Sequence, residues 1–282
     1  MTIIHDPKCL GYHAPGHPEL PARISTVADL LRNRGFTFVK PDPCGVPDIL
    51  RVHDETLVNA VKNGSFLDMD TPAIPGMLDF ALHAAGAAVT ACKTAAAGDN
   101  AFSLMRPPGH HATRRHAMGF CYFNNLAVAV ANHLSSRPDA KIAILDIDCH
   151  HGNGTEDIFL GYRSVMFVSL HQAPLYPGTG LASKDNCWNY PLPPGTDEKK
   201  YLSTFENACS AVAEFNPDLI GVSAGFDTYK HDPLTQFGLE IGTYAEIAKA
   251  ISGLRRPVFA VLEGGYSTDL PQCVHAFIKN LT

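Results

Sequence analysis

Lys141-Ile-Ala-Ile-Leu-Asp-Ile-Asp-Cys-His-His-Gly-Asn-Gly-Thr155 is the stretch on which the fold of this chain turns. Ile142 to Leu145 is an apolar run without breakers, as in a strand covered on both faces of a parallel sheet. Asp146, Asp148 and His150 follow on a period of two. Strand geometry would project all three from one face where the strand ends. Two carboxylates and an imidazole crowd a buried face only when something positive lies between them. The stretch therefore predicts a metal site at the carboxyl end of a central strand, with Gly152 and Gly154 turning the chain away.

On either side, short apolar strands alternate with helical periodicities. Strands are expected at 2–4, 102–105, 165–170, 218–223 and 258–262. Helices are expected at 21–34, 48–63 (with His53 inside), 75–97, 125–134, 197–215, 243–254 and 269–281. Segments 9–21 and 174–194 are dense in Pro and Gly and read as loops. Such alternation implies a mainly parallel sheet with helices on both faces. No linker, repeat or low-complexity tract interrupts it, so residues 1–282 are expected to form one domain.

The composition, 45% hydrophobic and 18% charged, is that of a water-soluble globular protein. Lys and Arg number 22 against 28 Asp and Glu, a formal charge of −6, which argues against non-specific nucleic-acid binding. The eight cysteines form no Cys-x-x-Cys pair and read as reduced, mostly packing thiols. The Ala-rich stretch from Phe80 to Ala97 carries His83 and Lys93, which suits a packed helix rather than a membrane span. Nothing at the start resembles a signal peptide, and a cytoplasmic location is expected.

Polar residues gather after four of the expected strands: Gly109-His-His111, the 146–153 cluster, Ala224-Gly-Phe-Asp227 and Glu263-Gly-Gly-Tyr266. In parallel sheets the carboxyl ends of the strands open onto a common crevice, so these groups are expected to meet. They also carry a resemblance. Arg106-Pro-Pro-Gly-His-His-Ala112, Gly119-Phe-Cys-Tyr-Phe-Asn-Asn125, Asp146-Ile-Asp-Cys-His-His-Gly-Asn-Gly-Thr155, Tyr176-Pro-Gly-Thr-Gly180, Gly225-Phe-Asp227 and Glu263-Gly-Gly-Tyr266 resemble the zinc-dependent histone deacetylase family, as does His17-Pro-Glu19. Asn153 and the Leu262-Glu-Gly-Gly-Tyr266 run resemble its class II branch and the bacterial histone-deacetylase-like amidohydrolases. The resemblance implies an arginase/deacetylase-like fold, a three-layer α/β/α sandwich on a mainly parallel sheet of about eight strands.

It also implies roles. Asp148, His150 and Asp227 would bind zinc, with iron(II) compatible, leaving a position for water. His110 would be held by Asp146 and stay charged, while His111, held by the neutral amide of Asn153, would be the general base. Tyr266 would donate to the developing oxyanion, and Gly119 and Phe120 would form one wall of a substrate tunnel. Asp146, Asp148, His150, Ser169 and Leu170 match a structural potassium site. The implied activity is removal of an acyl group from an ε-N-acyl-lysine or a similar acylated primary amine, with no nucleic-acid or membrane partner and an oligomer allowed.

Three alternatives stay open. An acetylpolyamine amidohydrolase would share the chemistry, and an acidic gatekeeper would mark it. The aligned position is Gly242, with Glu240 nearby. A binuclear manganese ureohydrolase would need further ligands where Cys149, His151 and Phe226 stand, and a non-catalytic acyl-lysine reader would not need every catalytic position filled. Asp70 is placed at the mouth, to hold a peptide backbone, from its position alone.

Overall fold

Burial on both faces is what the central apolar run requires, and the computed structural model, which describes residues 1–281, provides it. Ile142–Asp146 is a strand with all five residues buried, paired in parallel with Val165–Gln172 on one side and Leu219–Ala224 on the other. Eight strands make up the sheet: β1 (Thr2–Ile4), β2 (Thr37–Val39), β3 (Ala101–Ser103), β4 (Ile142–Asp146), β5 (Val165–Gln172), β6 (Cys187–Leu192), β7 (Leu219–Ala224) and β8 (Val258–Leu262). Their order is β2-β1-β3-β8-β7-β4-β5-β6, and every pairing is parallel. All carboxyl ends therefore lie along one edge of the sheet, with β3, β8, β7 and β4 as consecutive neighbours.

The helices are α1 (Pro21–Asn33), α2 (Val46–Ile49), α3 (Glu55–Asn63), α4 (Met77–Ala96), α5 (Asn125–Ser136), α6 (Asn153–Phe159), α7 (Glu198–Phe215), α8 (Ile241–Gly253) and α9 (Leu270–Asn280). The alanines of α4 let it lie close against β1, β3 and β8 and pack on α5. A second row joins α1 to α9, α9 to α8 and α8 to α7. The result is the expected α/β/α sandwich, and the buried apolar residues form one continuous cluster.

Several expectations shift. Strand β4 stops at Asp146, so Asp148 and His150 belong to the loop beyond it and not to a strand face. A seven-residue helix, α6, follows where only a glycine turn was expected. The helix expected over 48–63 is two helices, with His53 in the turn between them. There His53 bonds the carbonyl of Thr113 (2.9 Å) and accepts the N–H of Asn124 (2.8 Å), and burial lowers its pKa to about 4. Strand β6 falls within the expected 174–194 loop, and β2 lies where no element is expected; both are sheet edges, and Pro191 sits in β6 where an edge tolerates a missing N–H. Among the described residues no helix is long and apolar enough to cross a membrane.

Candidate active site

The loop after β4 holds its shape through its own carboxylates. Asp146 Oδ1 accepts the N–H of Asp148 (3.1 Å), and Asp148 Oδ1 accepts the N–H of His150 (2.9 Å). These turns, each reaching two residues ahead, produce the period of two that resembles a strand face. Asp227 leaves β7 and accepts the Cys149 N–H at 2.8 Å, joining the two strand ends. Ligand atoms of Asp148, His150 and Asp227 all lie within 4.8 Å of one another.

These three residues fit a divalent metal. His150 Nδ1 is 3.1 Å from Asp148 Oδ1 and 2.8 Å from Asp227 Oδ2, and both carboxylates are buried. Burial and the neighbouring Asp148 charge push Asp227 up to about 7, whereas Asp148 is held down, against burial, by His110 and His150. Against burial, the two inward carboxylates raise the His150 pKa to about 10, so the proton that ring carries stands where a divalent cation would meet all three donors. The backbone leaves room for one. A Cβ on Gly264 would come 2.6 Å from Asp148 Oδ2 and 2.7 Å from Asp227 Oδ2, and only glycine permits that approach. No second group of this kind occurs among the described residues. Where a ureohydrolase would place further ligands, burial pushes the Cys149 thiol far up, Phe226 is buried hydrocarbon, and His151 is turned towards Thr179 and Glu156.

Above this cluster sits the turn from Arg106 to His111. Arg106 is wholly buried and doubly bonded to Glu19, at 2.8 and 2.7 Å. Asn125 Nδ2 donates to the Pro107 carbonyl (2.9 Å), and Glu263 Oε2 accepts the N–H groups of Gly109 (2.7 Å) and His110 (3.1 Å). The turn therefore presents two histidines whose rings lie 4.0 Å apart but whose partners differ. His110 Nδ1 meets the Asp146 carboxylate at 3.0 Å, and His111 Nδ1 meets the Asn153 amide oxygen at 2.7 Å.

Burial opposes charge on both rings, but Asp148 and Asp146 outweigh it at His110 and raise its pKa to about 10. Burial raises Asp146 too; we place the proton of that pair on His110, because Asp148 lies 3.8 Å from its other nitrogen. At His111 burial acts in the same direction as the charges of His110 and His150 and holds the ring well below 6.5. His111 is thus neutral, and donating Nδ1–H to Asn153 leaves Nε2 with a free lone pair.

A cavity of about 240 Å³ descends to these residues. Gly119 and Phe120 both have positive φ, 57° and 70°, and a Cβ on Gly119 would stand 2.5 Å from the His111 ring. Phe120 and Tyr266 meet edge to face at 5.8 Å. Tyr176 forms the wall not identified from sequence, its ring 5.2 Å from His111, although its motif was part of the resemblance. Asp70 lines the mouth, as its position implied. Gly242 does not: it lies in α8, and the cavity residue from that region is Leu234. Glu240 is paired with Lys230 at 2.8 Å.

The glycines before Tyr266 do not leave its loop slack. Arg23 donates to the carbonyls of Glu263 and Gly265, both at 2.6 Å, and its guanidinium lies 4.6 Å from the Tyr266 ring centre. Asp232 accepts the Tyr266 N–H at 2.7 Å. Ser169 is the register partner of Asp146, and its hydroxyl bonds His171 Nδ1 at 2.9 Å; Leu170 is buried beside it.

With the geometry in place, comparison with known proteins is direct. The histone deacetylase domain matches residues 17–281. A probable deacetylase of Archaeoglobus fulgidus is 37% identical over 95% of this chain and 81% of its own length. Acetylpolyamine amidohydrolase 2 of Pseudomonas aeruginosa is 33% identical over 89% of this chain and 87% of its own. The crystal structure of the HDA15 HD domain superposes with a TM-score of 0.92 at 32% identity, over 99% of this chain and 88% of that one.

Proposed function

This chain belongs to the histone deacetylase domain family, an amide-hydrolysing enzyme by that membership, and we propose that it removes acyl groups, acetyl above all, from ε-N-acyl-lysine side chains. The observation that carries the proposal is the unequal histidine pair, His110 on a carboxylate at 3.0 Å and His111 on an amide at 2.7 Å, beside a three-residue metal cluster. Asp148, His150 and Asp227 hold the metal, zinc by family type with iron(II) compatible with the same donors. When bound, the metal supplies a Lewis acid that acidifies water and polarises an amide carbonyl.

The chain's own residues do the rest. His111 Nε2 takes the proton from the attacking water and returns it to the leaving amine, so that amide and water become carboxylate and amine. His110 stays protonated and adds a fixed positive charge where negative charge develops. Tyr266 donates its hydroxyl to the oxyanion, and Phe120 and Tyr176 flank the incoming chain. Asp146, Asp148, His150, Ser169 and Leu170 hold a structural potassium ion in this reading. Residues 1–282 act as one catalytic domain, in the cytoplasm.

A polyamine is the second reading, favoured by the similarity to acetylpolyamine amidohydrolase 2. Leu234 offers a polyamine cation no counter-charge, whereas Asp70 in the same cavity lining does, so the substrate panel decides between the two readings. A non-catalytic reader has no need of two histidines with opposed protonation. The test is hydrolysis of acetyl-lysine peptides and N-acetylpolyamines by zinc- and iron(II)-loaded protein. Peptide hydrolysis faster than polyamine hydrolysis is expected; the reverse order would refute the substrate assignment, and no turnover with either would refute the enzyme.

A further inference from the structure

The segment joining α3 to α4 is tied to the cavity wall at several points. Asp68 Oδ2 accepts the N–H groups of Gly119 and Asp70, each at 3.2 Å. Thr71 Oγ1 accepts the Phe120 N–H (2.9 Å), and His17 bonds the Asp70 carbonyl (2.9 Å). Between these anchors the side chains alternate. Phe66 turns inward, 5.6 Å from the Tyr122 ring, and Asp68 turns inward to Gly119. Leu67 and Met69 turn outward and are each 101% exposed, against 66% for the next most exposed large apolar residue. Met69 immediately precedes Asp70, which lines the cavity.

We propose that Leu67 and Met69 form a docking surface for the polypeptide that carries the acyl-lysine, gripping apolar side chains next to the modified residue. The proposal rests on the amide-hydrolase reading above and names its substrate as an apolar-flanked acyl-lysine in a polypeptide. The occupant follows from continuity: Met69 is bonded directly to Asp70, which lines the cavity together with Leu234, itself 38% exposed. Anchoring by Asp68, Thr71 and His17 presents both side chains on a fixed scaffold, so little order is lost when a partner covers them. Asp68 and Asp70 place carboxylates beside the pair and select against acidic flanks. A small acylated amine ends inside the cavity and leaves both side chains in water.

The test uses metal-loaded full-length protein and the double variant Leu67→Ser/Met69→Ser, which removes no buried contact. Three substrates are compared: an acetyl-lysine peptide with leucines on both sides, the same peptide with glycines there, and N-acetyl-lysine methylamide. Wild type should prefer the leucine peptide by about tenfold in kcat/KM, carried by KM, the gain from partly burying one apolar side chain. The variant should lose that preference and keep its rate on the methylamide. Equal use of both peptides by wild type, or a preference that survives in the variant, overturns the docking surface while leaving the enzyme reading intact. A wild-type dimer on gel filtration that the variant dissolves without altering peptide preference assigns the pair to a second copy and also overturns it. Failure to hydrolyse any of the three substrates overturns the enzyme reading and the docking surface with it.

Discussion

Replacing Asn153 by aspartate exchanges one atom and adds one charge at the point where His111 is held. The amide oxygen accepts from His111 Nδ1 at 2.7 Å, and a carboxylate can take that place without moving the backbone. A carboxylate and an imidazolium with charges about 4 Å apart attract by about 4 kcal/mol at an effective dielectric of about 20. At about 1.4 kcal/mol per pKa unit this sets a ceiling near 3 units, reduced by the cost of desolvating a half-buried carboxylate. His110, with carboxylates for partners, shows the direction within the same site: its pKa is about 10, whereas His111 lies well below 6.5. The general base of the variant should therefore titrate about 1–3 units higher. Because the base must be unprotonated, the acidic limb of kcat/KM moves to higher pH by that amount. Asn153 Nδ2 also approaches the His111 carbonyl and Met118 Sδ, both at 3.4 Å, and losing these contacts lowers the plateau, not the limb. The assay is a pH–rate profile on an acetyl-lysine peptide with saturating metal. A limb that stays in place, in a folded and fully loaded variant, refutes His111 as the base.

Asp148→Ala or Asp227→Ala should abolish stoichiometric metal binding, since each removes one of three converging ligands; metal analysis of purified protein checks this. Tyr266→Phe should lower kcat about 10²–10³-fold and leave affinity for an unreactive analogue nearly unchanged, read by single-turnover kinetics and direct binding. Glu263→Gln keeps an oxygen for the N–H groups of Gly109 and His110 and should retain metal and most activity. Glu263→Ala leaves both donors buried and unmet, and denaturant unfolding should report a loss of about 2–6 kcal/mol. Glu19 meets Arg106 at 2.7 Å and Arg23 at 3.2 Å, and although burial opposes it, Arg106 above all lowers its pKa. A depressed folded pKa stabilises above the unfolded value of about 4.3 and is lost as pH falls through the folded one. Glu19→Gln should therefore cost about 3–5 kcal/mol at neutral pH and flatten the acid loss of stability seen in wild type, measured by urea unfolding across pH.

Much of the molecule is written in local pattern. Short apolar runs identify β1, β4, β5, β7 and β8, because a strand buried on both faces needs nothing but its own residues to be apolar. The metal cluster and the histidine pair were legible for a related reason: in a parallel sheet, residues just past strand ends must share a crevice. Other features depended on which distant segments become neighbours. Glu263 stands 154 positions from Gly109 yet accepts its N–H, because β3 and β8 are adjacent in the sheet. Arg23 reaches the Tyr266 loop across 242 positions, and Tyr176 enters the cavity from a loop in which no periodicity says where its side chain goes. The edge strands β2 and β6 form because a ready neighbour offers hydrogen bonds that their own residues hardly demand. The period of two at Asp146, Asp148 and His150 comes from backbone turns beyond β4 and not from a strand face. Local sequence records which groups must leave water together; whether backbone turns or a strand face brings them there depends on contacts that only the folded chain supplies.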